Sequence, residues 1–339
     1  MKTVLLLLFA GILCTVDLQA QQPSSPEDFG LQPYQFKETE LGTINFFVTQ
    51  HKIKETKPLL IFLDGSGHLP LFYLIKKPDG STQLSSKITI DYDKLANQFH
   101  VVMISKPGTP FMDSLEAGSS REFRKKYPPS AEYTERLSLD WRAGSASMVI
   151  DYLIQNLPVK DNEVVVMGYS EGGQVAPKLA RINAKVTKLI NIVGGGLNQF
   201  YDMITEQRGK AQLGLITSVE AQANIDSLTL VFKDIYANPN ATDKTWWGHT
   251  YKRWASFCQD IPMDNMLSLD IPILMISGGK DENAPIAGLD YVQLEFLRQG
   301  KTNLTYKVYP NCNHWFDDEL TGEYKLDEML DFVSDWVKQ

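Results

Sequence analysis

Short apolar runs alternate along this chain with longer segments in which apolar residues recur at helical spacing. A long helix is predicted over 138–157, where Met148, Ile150, Leu153 and Ile154 mark one packed face. The apolar runs predict strands at 58–63, 100–105, 164–167, 186–193, 271–279 and 304–309. Because strands and helices alternate, the pattern predicts an α/β fold with a mostly parallel central sheet that is flanked by helices on both faces.

The alternation of strands and helices is broken at three places. Segments 34–38 and 43–53 have the pattern of an opening antiparallel hairpin. Segment 112–135 is a candidate insertion, and its basic run, 121–127, is expected to be a solvated face. Between 196 and 269 no strand pattern is present and aromatic residues accumulate, namely Tyr201, Phe232, Tyr236, Trp246, Trp247, Tyr251, Trp254 and Phe257. The last segment is therefore expected to be an insertion whose aromatic side chains mostly form its own core.

Segment 168–173 has the sequence Gly-Tyr-Ser-Glu-Gly-Gly and joins a predicted strand to a predicted helix. A G-x-S-x-G turn in this context places its serine, Ser170, at the tip of a sharp corner with the hydroxyl exposed. The helix N-terminus behind the serine favours developing negative charge. Gly168 and Gly172 are expected where side chains would clash, because helix and strand approach closely there. The segment therefore predicts a nucleophilic serine.

Two residue types that such a serine needs follow it in the chain. Asp281 comes just after strand 271–279, and a carboxylate there lies at the carboxyl edge of a parallel sheet, where ligands bind. His314 stands in a loop after strand 304–309, at the same edge. An imidazole can take the serine proton during attack, and a buried carboxylate fixes the imidazole tautomer. These residues therefore predict a catalytic triad in the order serine, acid, histidine.

On these motifs the chain resembles the α/β-hydrolases, in the esterase, dienelactone-hydrolase and prolyl-oligopeptidase-like part of that superfamily. The resemblance covers roughly residue 57 to the C-terminus and implies the α/β-hydrolase fold. It implies Ser170 as the nucleophile, Asp281 as the acid and His314 as the base. The spacing from Asp281 to Pro285 follows the family's Gly-x-x-Asp-x-x-small-Pro segment only approximately.

The same resemblance implies how the chain is divided. We expect one hydrolase domain over 34–339, with a helical lid insertion at about 197–269, where the family commonly inserts helices. A lid over the serine would build the substrate pocket and exclude water. An aromatic side chain that faces Ser170 from the lid would favour an apolar or aromatic acyl or leaving group.

The oxyanion formed from the attacked carbonyl needs preorganised hydrogen-bond donors. The resemblance implies the backbone N–H of Glu171 as one donor and an N–H in the loop after an early strand as the other. The family usually has His-Gly in that loop, whereas this chain has Asp64 and Gly65. We assign the second donor to the N–H of Ser66, with Gly67 as the alternative because the sequence does not fix the register of the loop.

Each assignment has a competitor. Glu282 could be the acid instead of Asp281, or Asp281 could merely cap the helix that starts near Ala284. We favour Asp281 as the acid because it follows a pair of glycines. His68 precedes the serine, which is the wrong order for the base, and the other histidines are interpreted as packed or structural. Because no spacing typical of a metal site or of a nucleotide-binding loop is present, neither a metal nor a cofactor is expected.

The N-terminal segment has the pattern of a secretory signal peptide. Lys2 precedes the apolar run 4–14, which is too short to span a bilayer, and Ala20 provides a small residue before a cleavage point. We therefore expect a signal peptide over 1–20, a short flexible lead-in over 21–33, and a secreted or periplasmic protein with no stable membrane span.

The charge of the chain bears on nucleic-acid binding, and its cysteines bear on a possible disulfide. The formal net charge is −8, and removal of 1–20 leaves it unchanged because that segment holds one base and one acid. An acidic chain argues against nucleic-acid binding.

Beyond 1–20 there are two cysteines, Cys258 and Cys312. In an oxidising compartment these either form a disulfide that pins the histidine loop or remain separate thiols, and the sequence does not decide between the two.

The sequence thus predicts a secreted serine hydrolase that cleaves carboxylic esters through an acyl-enzyme on Ser170. A serine peptidase of the prolyl-oligopeptidase-like type is the second candidate, because the same triad serves both reactions. A catalytically silent hydrolase fold that only binds a ligand is the third. The expected partner is a small-molecule ester or a short peptide; natural substrate, acyl chain length and oligomeric state are not predicted.

Overall fold

The computed structural model describes residues 24–116 and 126–339, and its centre is one eight-stranded sheet. The strands are β1 (Leu31–Glu38), β2 (Gly42–Thr49), β3 (Lys57–Leu63), β4 (Phe72–Lys76), β5 (Thr82–Ser86), β6 (His100–Ile104), β7 (Met112–Glu116), β8 (Val159–Tyr169), β9 (Lys188–Ile192), β10 (Thr245–Trp246), β11 (His249–Thr250), β12 (Ile273–Gly278) and β13 (Leu304–Tyr309). The central sheet has the order β1-β2-β6-β3-β8-β9-β12-β13. The β1–β2 and β2–β6 pairs are antiparallel, and every later pair is parallel. The predicted α/β fold is therefore confirmed.

Helices cover both faces of the central sheet. The helices of the described residues are α1 (Tyr92–Ala96), α2 (Ala131–Arg136), α3 (Leu139–Asn156), α4 (Glu171–Ile182), α5 (Gln199–Gln212), α6 (Ser218–Ala237), α7 (Tyr251–Gln259), α8 (Pro262–Leu267), α9 (Ile286–Arg298) and α10 (Leu326–Val337). Along β3, Leu59 and Ile61 enter the apolar core that α3 and α4 complete, and Leu60 enters the core that α10 completes. Successive strand residues point to opposite faces, so a doubly covered strand is apolar throughout. Within the described part of the chain, no helix is long and apolar enough to cross a membrane.

The chain joins the sheet earlier than the sequence predicted. A 3-10 helix, Pro26–Phe29, precedes β1, and Leu31 is already fully buried. The Phe29 ring also contacts two further phenylalanine rings. The prediction of a flexible lead-in over 21–33 is therefore wrong from residue 26 onward, because apolar side chains anchor this stretch. The predicted signal peptide, 1–20, lies outside the described residues.

A small second sheet was not predicted from the sequence. It has the order β5-β4-β7, with β4 antiparallel to β5 and parallel to β7. Its first and last strands are mostly exposed, so no apolar run marks them in the sequence. The candidate insertion 112–135 thus begins as a strand of this sheet, and residues 121–125 of its basic run lie outside the described residues.

The segment predicted as a lid, 197–269, contains helices α5 to α8 and the two-stranded ribbon β10–β11. Phe200 and Phe232 stack with their ring centroids 4.0 Å apart and pack with Trp254 in a separate small core. Most of the aromatic side chains in this segment therefore serve its own packing. The segment connects β9 to β12, next to the edge of the sheet at which the predicted site residues lie.

The two described cysteines are separate thiols. Cys258 on α7 and Cys312 in the loop after β13 are both buried and free, so no disulfide pins the histidine loop. Burial raises the pKa of the Cys258 thiol to about 12. A thiol that stays protonated is a poor nucleophile and oxidises slowly.

Candidate active site

Ser170 stands at a strained corner between β8 and α4. Its backbone has φ 55° and ψ −120°, a conformation that is uncommon and costly for a residue with a side chain. A hydrogen bond of 2.9 Å from the Ser170 N–H to the Ile192 carbonyl holds the corner against the next strand. A Cβ added to Gly168 would overlap the carbonyl of Gly172, and one added to Gly172 would overlap the carbonyl of Leu63. The expected close approach of helix and strand is confirmed.

The structure brings the three predicted triad side chains into one hydrogen-bond chain. His314 Nε2 lies 3.0 Å from Ser170 Oγ, and His314 Nδ1 lies 2.8 Å from Asp281 Oδ2. The acid and the histidine are 7% and 5% exposed, so water hardly competes for these bonds. When Nδ1 donates to the carboxylate, Nε2 is left as an acceptor that faces the serine hydroxyl. This arrangement can move a proton from the hydroxyl to the imidazole.

The contacts of Asp281 decide between the acid role and the alternatives, which were Glu282 as the acid and Asp281 as a helix cap. Asp281 Oδ1 accepts hydrogen bonds of 2.8 Å and 2.9 Å from the N–H groups of Asn283 and Ala284. The same carboxylate therefore organises the turn before α9 and orients His314. Glu282 points to the exposed rim of the cavity beside Ser170 and does not pair with the histidine.

The histidine loop is held by a residue that the sequence analysis did not single out. The Tyr169 hydroxyl donates a 2.6 Å hydrogen bond to the carbonyl of His314, and Tyr169 is buried. The loop is further attached to the end of β12 by a 2.9 Å bond from the Lys280 N–H to the Cys312 carbonyl. A buried tyrosine needs a partner for its hydroxyl, and its place next to the nucleophile could have indicated this role.

Ser170 opens into a cavity of about 750 Å³. Ser66 and Glu171 also line this cavity, and neither of their backbone N–H groups donates a hydrogen bond to another described residue. Gly67 instead lines a neighbouring cavity of about 330 Å³. Of the two candidates in the loop after β3, Ser66 is therefore the one that shares the cavity with the serine.

The two cavities are adjacent and have three lining residues in common, namely Ser66, Trp247 and His249. The walls of the smaller one include Leu69, Tyr73 and Ile75, which makes it the more apolar of the two. His68 lies in this smaller cavity, and its Nε2 is 2.6 Å from the carbonyl of Tyr127. It does not contact Ser170, in agreement with the choice of His314. His249, interpreted from the sequence as packed, contacts the ring of Trp254 and also lines the cavity of Ser170.

The side chain of Glu171 is buried beneath the serine and paired with two arginines. Arg142 Nη1 lies 2.9 Å from one carboxylate oxygen, and Arg253 Nη2 lies 2.6 Å from the other. Burial alone would raise the pKa of Glu171, but Arg253, Lys106 and Arg142 hold it well below its usual range. The carboxylate is therefore ionised, and it ties the serine corner to α3 and to α7 of the lid segment.

A second buried carboxylate ties the Ser66 loop to the same arginine. Arg142 Nη2 donates to Asp64 Oδ1 at 2.6 Å and to the Asp64 carbonyl at 3.0 Å. Lys106 Nζ donates to Asp64 Oδ2 at 3.0 Å, to the Gly67 carbonyl at 2.9 Å and to the Gly65 carbonyl. Burial alone would raise the pKa of Asp64, but Lys106 and Arg142 hold it low. These ion pairs fix the loop beside the serine corner.

Among the described residues, no group of three or more His, Cys, Asp and Glu side chains is placed to hold a metal ion. The side chains of Ser170, His314 and Asp281, and those of Glu171 and Asp64, are instead engaged in the hydrogen bonds and ion pairs described above. The arrangement combines a serine hydroxyl with an imidazole that a carboxylate orients, and two backbone N–H groups without described partners line the same cavity.

The order of the sheet and the positions of these side chains define the fold. A serine corner after β8, an acid after β12 and a histidine after β13 lie on a sheet with an antiparallel start and a parallel remainder. This protein has the α/β-hydrolase fold. No protein-family model matches its sequence.

One curated protein with significant similarity is described as a carboxymethylenebutenolidase, a dienelactone hydrolase, from Methylorubrum extorquens. It is 27% identical to this chain over 111 residues. The match covers 31% of this chain and 38% of the relative. This chain therefore matches well under half the length of that relative.

Solved structures give the same fold over nearly the whole chain. A Klebsiella pneumoniae protein described as a dienelactone hydrolase is similar with a TM-score of 0.52 and 11% identity, over 91% of this chain and 99% of the other. The acylaminoacyl peptidase of Pyrococcus horikoshii is similar with a TM-score of 0.53 and 11% identity, over 91% of this chain and 41% of the other. At this level of identity the similarity establishes the fold alone.

Proposed function

We propose that this protein is a serine hydrolase that cleaves carboxylic esters through an acyl-enzyme on Ser170. The observation that carries the proposal is the hydrogen-bond chain from Ser170 Oγ through His314 to Asp281. A serine hydroxyl is a weak nucleophile at neutral pH, and an adjacent base that is oriented by a third group activates it. The strained backbone of Ser170 gives further support, because such strain is concentrated at functional sites.

In the proposed reaction, His314 Nε2 takes the hydroxyl proton as Ser170 Oγ attacks the ester carbonyl. Asp281 stabilises the resulting imidazolium, and the N–H groups of Ser66 and Glu171 donate to the oxyanion. The imidazolium then gives its proton to the alcohol oxygen, the carbon–oxygen bond breaks and the alcohol leaves. Water attacks the acyl-enzyme in the second half of the reaction, with His314 again as the base, and releases the acid and free Ser170.

The first test is covalent labelling by a fluorophosphonate, which reacts with activated serines. We expect the wild-type protein to be labelled and Ser170→Ala and His314→Ala to remain unlabelled. Ser114→Ala, a change of an exposed serine on β7, is the matched control and should be labelled like the wild type. A folded wild-type protein that is not labelled would contradict the proposal and favour a silent fold that only binds a ligand.

The second test separates esterase from peptidase. 4-Nitrophenyl acetate and butyrate are compared with aminoacyl 4-nitroanilides, and kcat/KM is measured for each. Ester hydrolysis that depends on Ser170, without comparable hydrolysis of the anilides, is expected. Anilides cleaved at least as efficiently as the esters would replace the esterase by a peptidase.

Export is a separate part of the proposal and rests on segment 1–20 alone. The basic start, the apolar run and the small residue at position 20 favour a signal peptide that is removed during secretion. Protein recovered from the periplasm or the medium should begin at Gln21 by N-terminal sequencing. Intact cytoplasmic protein that retains Met1 would contradict export and would leave the enzymatic proposal unaffected.

A further inference from the structure

One carboxylate in the substrate cavity has no partner. Asp202 lies in the first turn of α5 and lines the cavity of Ser170, partly buried. Within residues 24–116 and 126–339, no cation pairs with its carboxylate and no group donates a hydrogen bond to it. Burial raises the pKa of Asp202 to about 7, and the nearby Asp281 contributes to the rise. A buried carboxylate of this kind is stabilised by whatever brings it positive charge and N–H donors.

A second polar side chain lies near Asp202 in the same cavity. Gln174 on α4 is only 7% exposed and lines the cavity together with Asp202. A Cβ placed on Gly195 would lie 3.7 Å from Gln174 Nε2 and 4.0 Å from Asp202 Oδ2, so both atoms lie close to Gly195. Gln174 Oε1 is buried and has no partner among the described residues, so it is not an acceptor for a molecule in the cavity. Asp202 is therefore the acceptor that this part of the cavity offers.

The other charged groups around the cavity do not form an ion pair with Asp202. Arg253 is engaged by Gln199 at 2.8 Å and by Glu171 at 2.6 Å. Glu206, one turn further along α5, pairs with a lysine on the same helix. Glu282 at the exposed rim adds a further negative charge. No described cation in the cavity therefore balances the charge of Asp202.

We infer that Asp202 forms a subsite for a protonated amine of the substrate, so that the enzyme prefers esters that carry an ammonium group. This inference rests on the proposed function and deepens it. A primary or secondary ammonium has both N–H donors and a positive charge for the Asp202 carboxylate. The ring of Trp247, which also lines the cavity, offers a face on which the methylene groups beside the ammonium can pack.

The test of preference uses pairs of esters that differ by one positive charge. Acetylcholine and 3,3-dimethylbutyl acetate place the charge in the alcohol. The 4-nitrophenyl esters of N-acetyl-lysine and N-acetyl-norleucine place it in the acyl part. We expect kcat/KM to favour the lysine ester by about tenfold or more, because charge-assisted hydrogen bonds are worth at least that factor. Acetylcholine, which has no N–H, should gain less than the lysine ester.

Two variants assign the preference to the subsite. The ratio of cationic to neutral kcat/KM should fall to about twofold or less in Asp202→Asn. Asp226→Asn, which removes an exposed acid from α6, is the matched control for net charge and should keep the wild-type ratio. No preference in the wild type, or a preference that survives in Asp202→Asn, would overturn the inference.

A binding measurement separates this inference from the proposed function. N-acetyl-lysine amide and N-acetyl-norleucine amide are titrated calorimetrically into Ser170→Ala protein, with and without Asp202→Asn. Tighter binding of the lysine compound that disappears with Asp202→Asn supports the subsite even if no ester is hydrolysed. Ester hydrolysis together with equal binding of the two amides would leave the proposed function standing and overturn the subsite.

Discussion

Arg142 binds both segments that carry the proposed oxyanion donors, and Arg142→Lys tests whether these bonds are needed for stability and catalysis. Its guanidinium donates to Glu171, which follows the serine, and to the side chain and carbonyl of Asp64, which begins the Ser66 loop. Lysine keeps the positive charge but lacks the planar fork, so one ammonium cannot reproduce three bonds in two directions. The substitution therefore keeps the positive charge but removes the hydrogen-bond geometry of the guanidinium.

The expected magnitude follows from the bonds that are lost. Of the three hydrogen bonds of Arg142, a lysine can keep about one. Each buried bond to a charged group contributes about 1.5–3 kcal/mol. Because the retained charge and entering water offset part of this loss, we expect the free energy of unfolding to fall by about 2–4 kcal/mol. Loss of one oxyanion donor lowers kcat about a hundredfold, so partial misplacement of the loop should lower it roughly ten- to hundredfold.

The assay combines urea unfolding with steady-state hydrolysis of 4-nitrophenyl acetate. The loss should appear in kcat with little change in KM, because the oxyanion exists only after attack. Arg298→Lys is the matched control: Arg298 forms an exposed pair with Glu295, and its replacement should change stability by less than about 0.5 kcal/mol. An Arg142→Lys protein with wild-type stability and kcat would refute the idea that this arginine holds the donors in place.

Three other predictions test the site and its support. Asp281→Asn should lower kcat by about 10³- to 10⁴-fold in ester hydrolysis while circular dichroism stays unchanged, because the base loses its orientation. Gly172→Ala should destabilise the protein by about 3 kcal/mol or more in urea, whereas Gly209→Ala, on open helix surface, should be neutral or stabilising. Burial raises the pKa of Asp202 to about 7, so the folded protein loses stability as the pH rises from the unfolded pKa of an aspartate, about 4, through about 7. Asp202→Asn removes this loss and should stabilise the protein by up to about 4 kcal/mol at pH 8 and hardly at pH 4. Urea unfolding at both pH values measures the difference.

The sheet and the triad could be predicted from the sequence because both depend on short, contiguous sequence patterns. Apolar runs that are buried on both faces give continuous strand signals, and parallel strands bring their carboxyl ends to one edge. The residues after β8, β12 and β13 therefore had to meet, and the serine motif indicated which of them would react. The mostly exposed strands β5 and β7 carry no such signal, and they were missed.

The ion pairs beneath the serine could not be predicted, because their members come from distant parts of the chain. Asp64, Lys106, Arg142, Glu171 and Arg253 belong to five different elements or loops. Only the position of Arg142 gave an indication: it stands four residues before Ala146, on the buried face of α3. A charge at such a position requires a buried partner, but the helical pattern does not identify it.

These charges also bear on how a substrate would be oriented in the cavity. Beneath the serine, four basic side chains, Lys87, Lys106, Arg142 and Arg253, surround the carboxylates of Asp64 and Glu171. Burial lowers the pKa of Lys106 to about 7, but the other three bases still outnumber the two carboxylates where the oxyanion is proposed to form. Asp202, which lines the same cavity, has no described cation beside it. Because the charges beneath the serine are buried and Asp202 is partly buried, their fields are only weakly screened by solvent and salt. A substrate with a carbonyl at one end and an ammonium at the other would therefore be oriented before reaction, and this orientation is what proximity contributes to the rate.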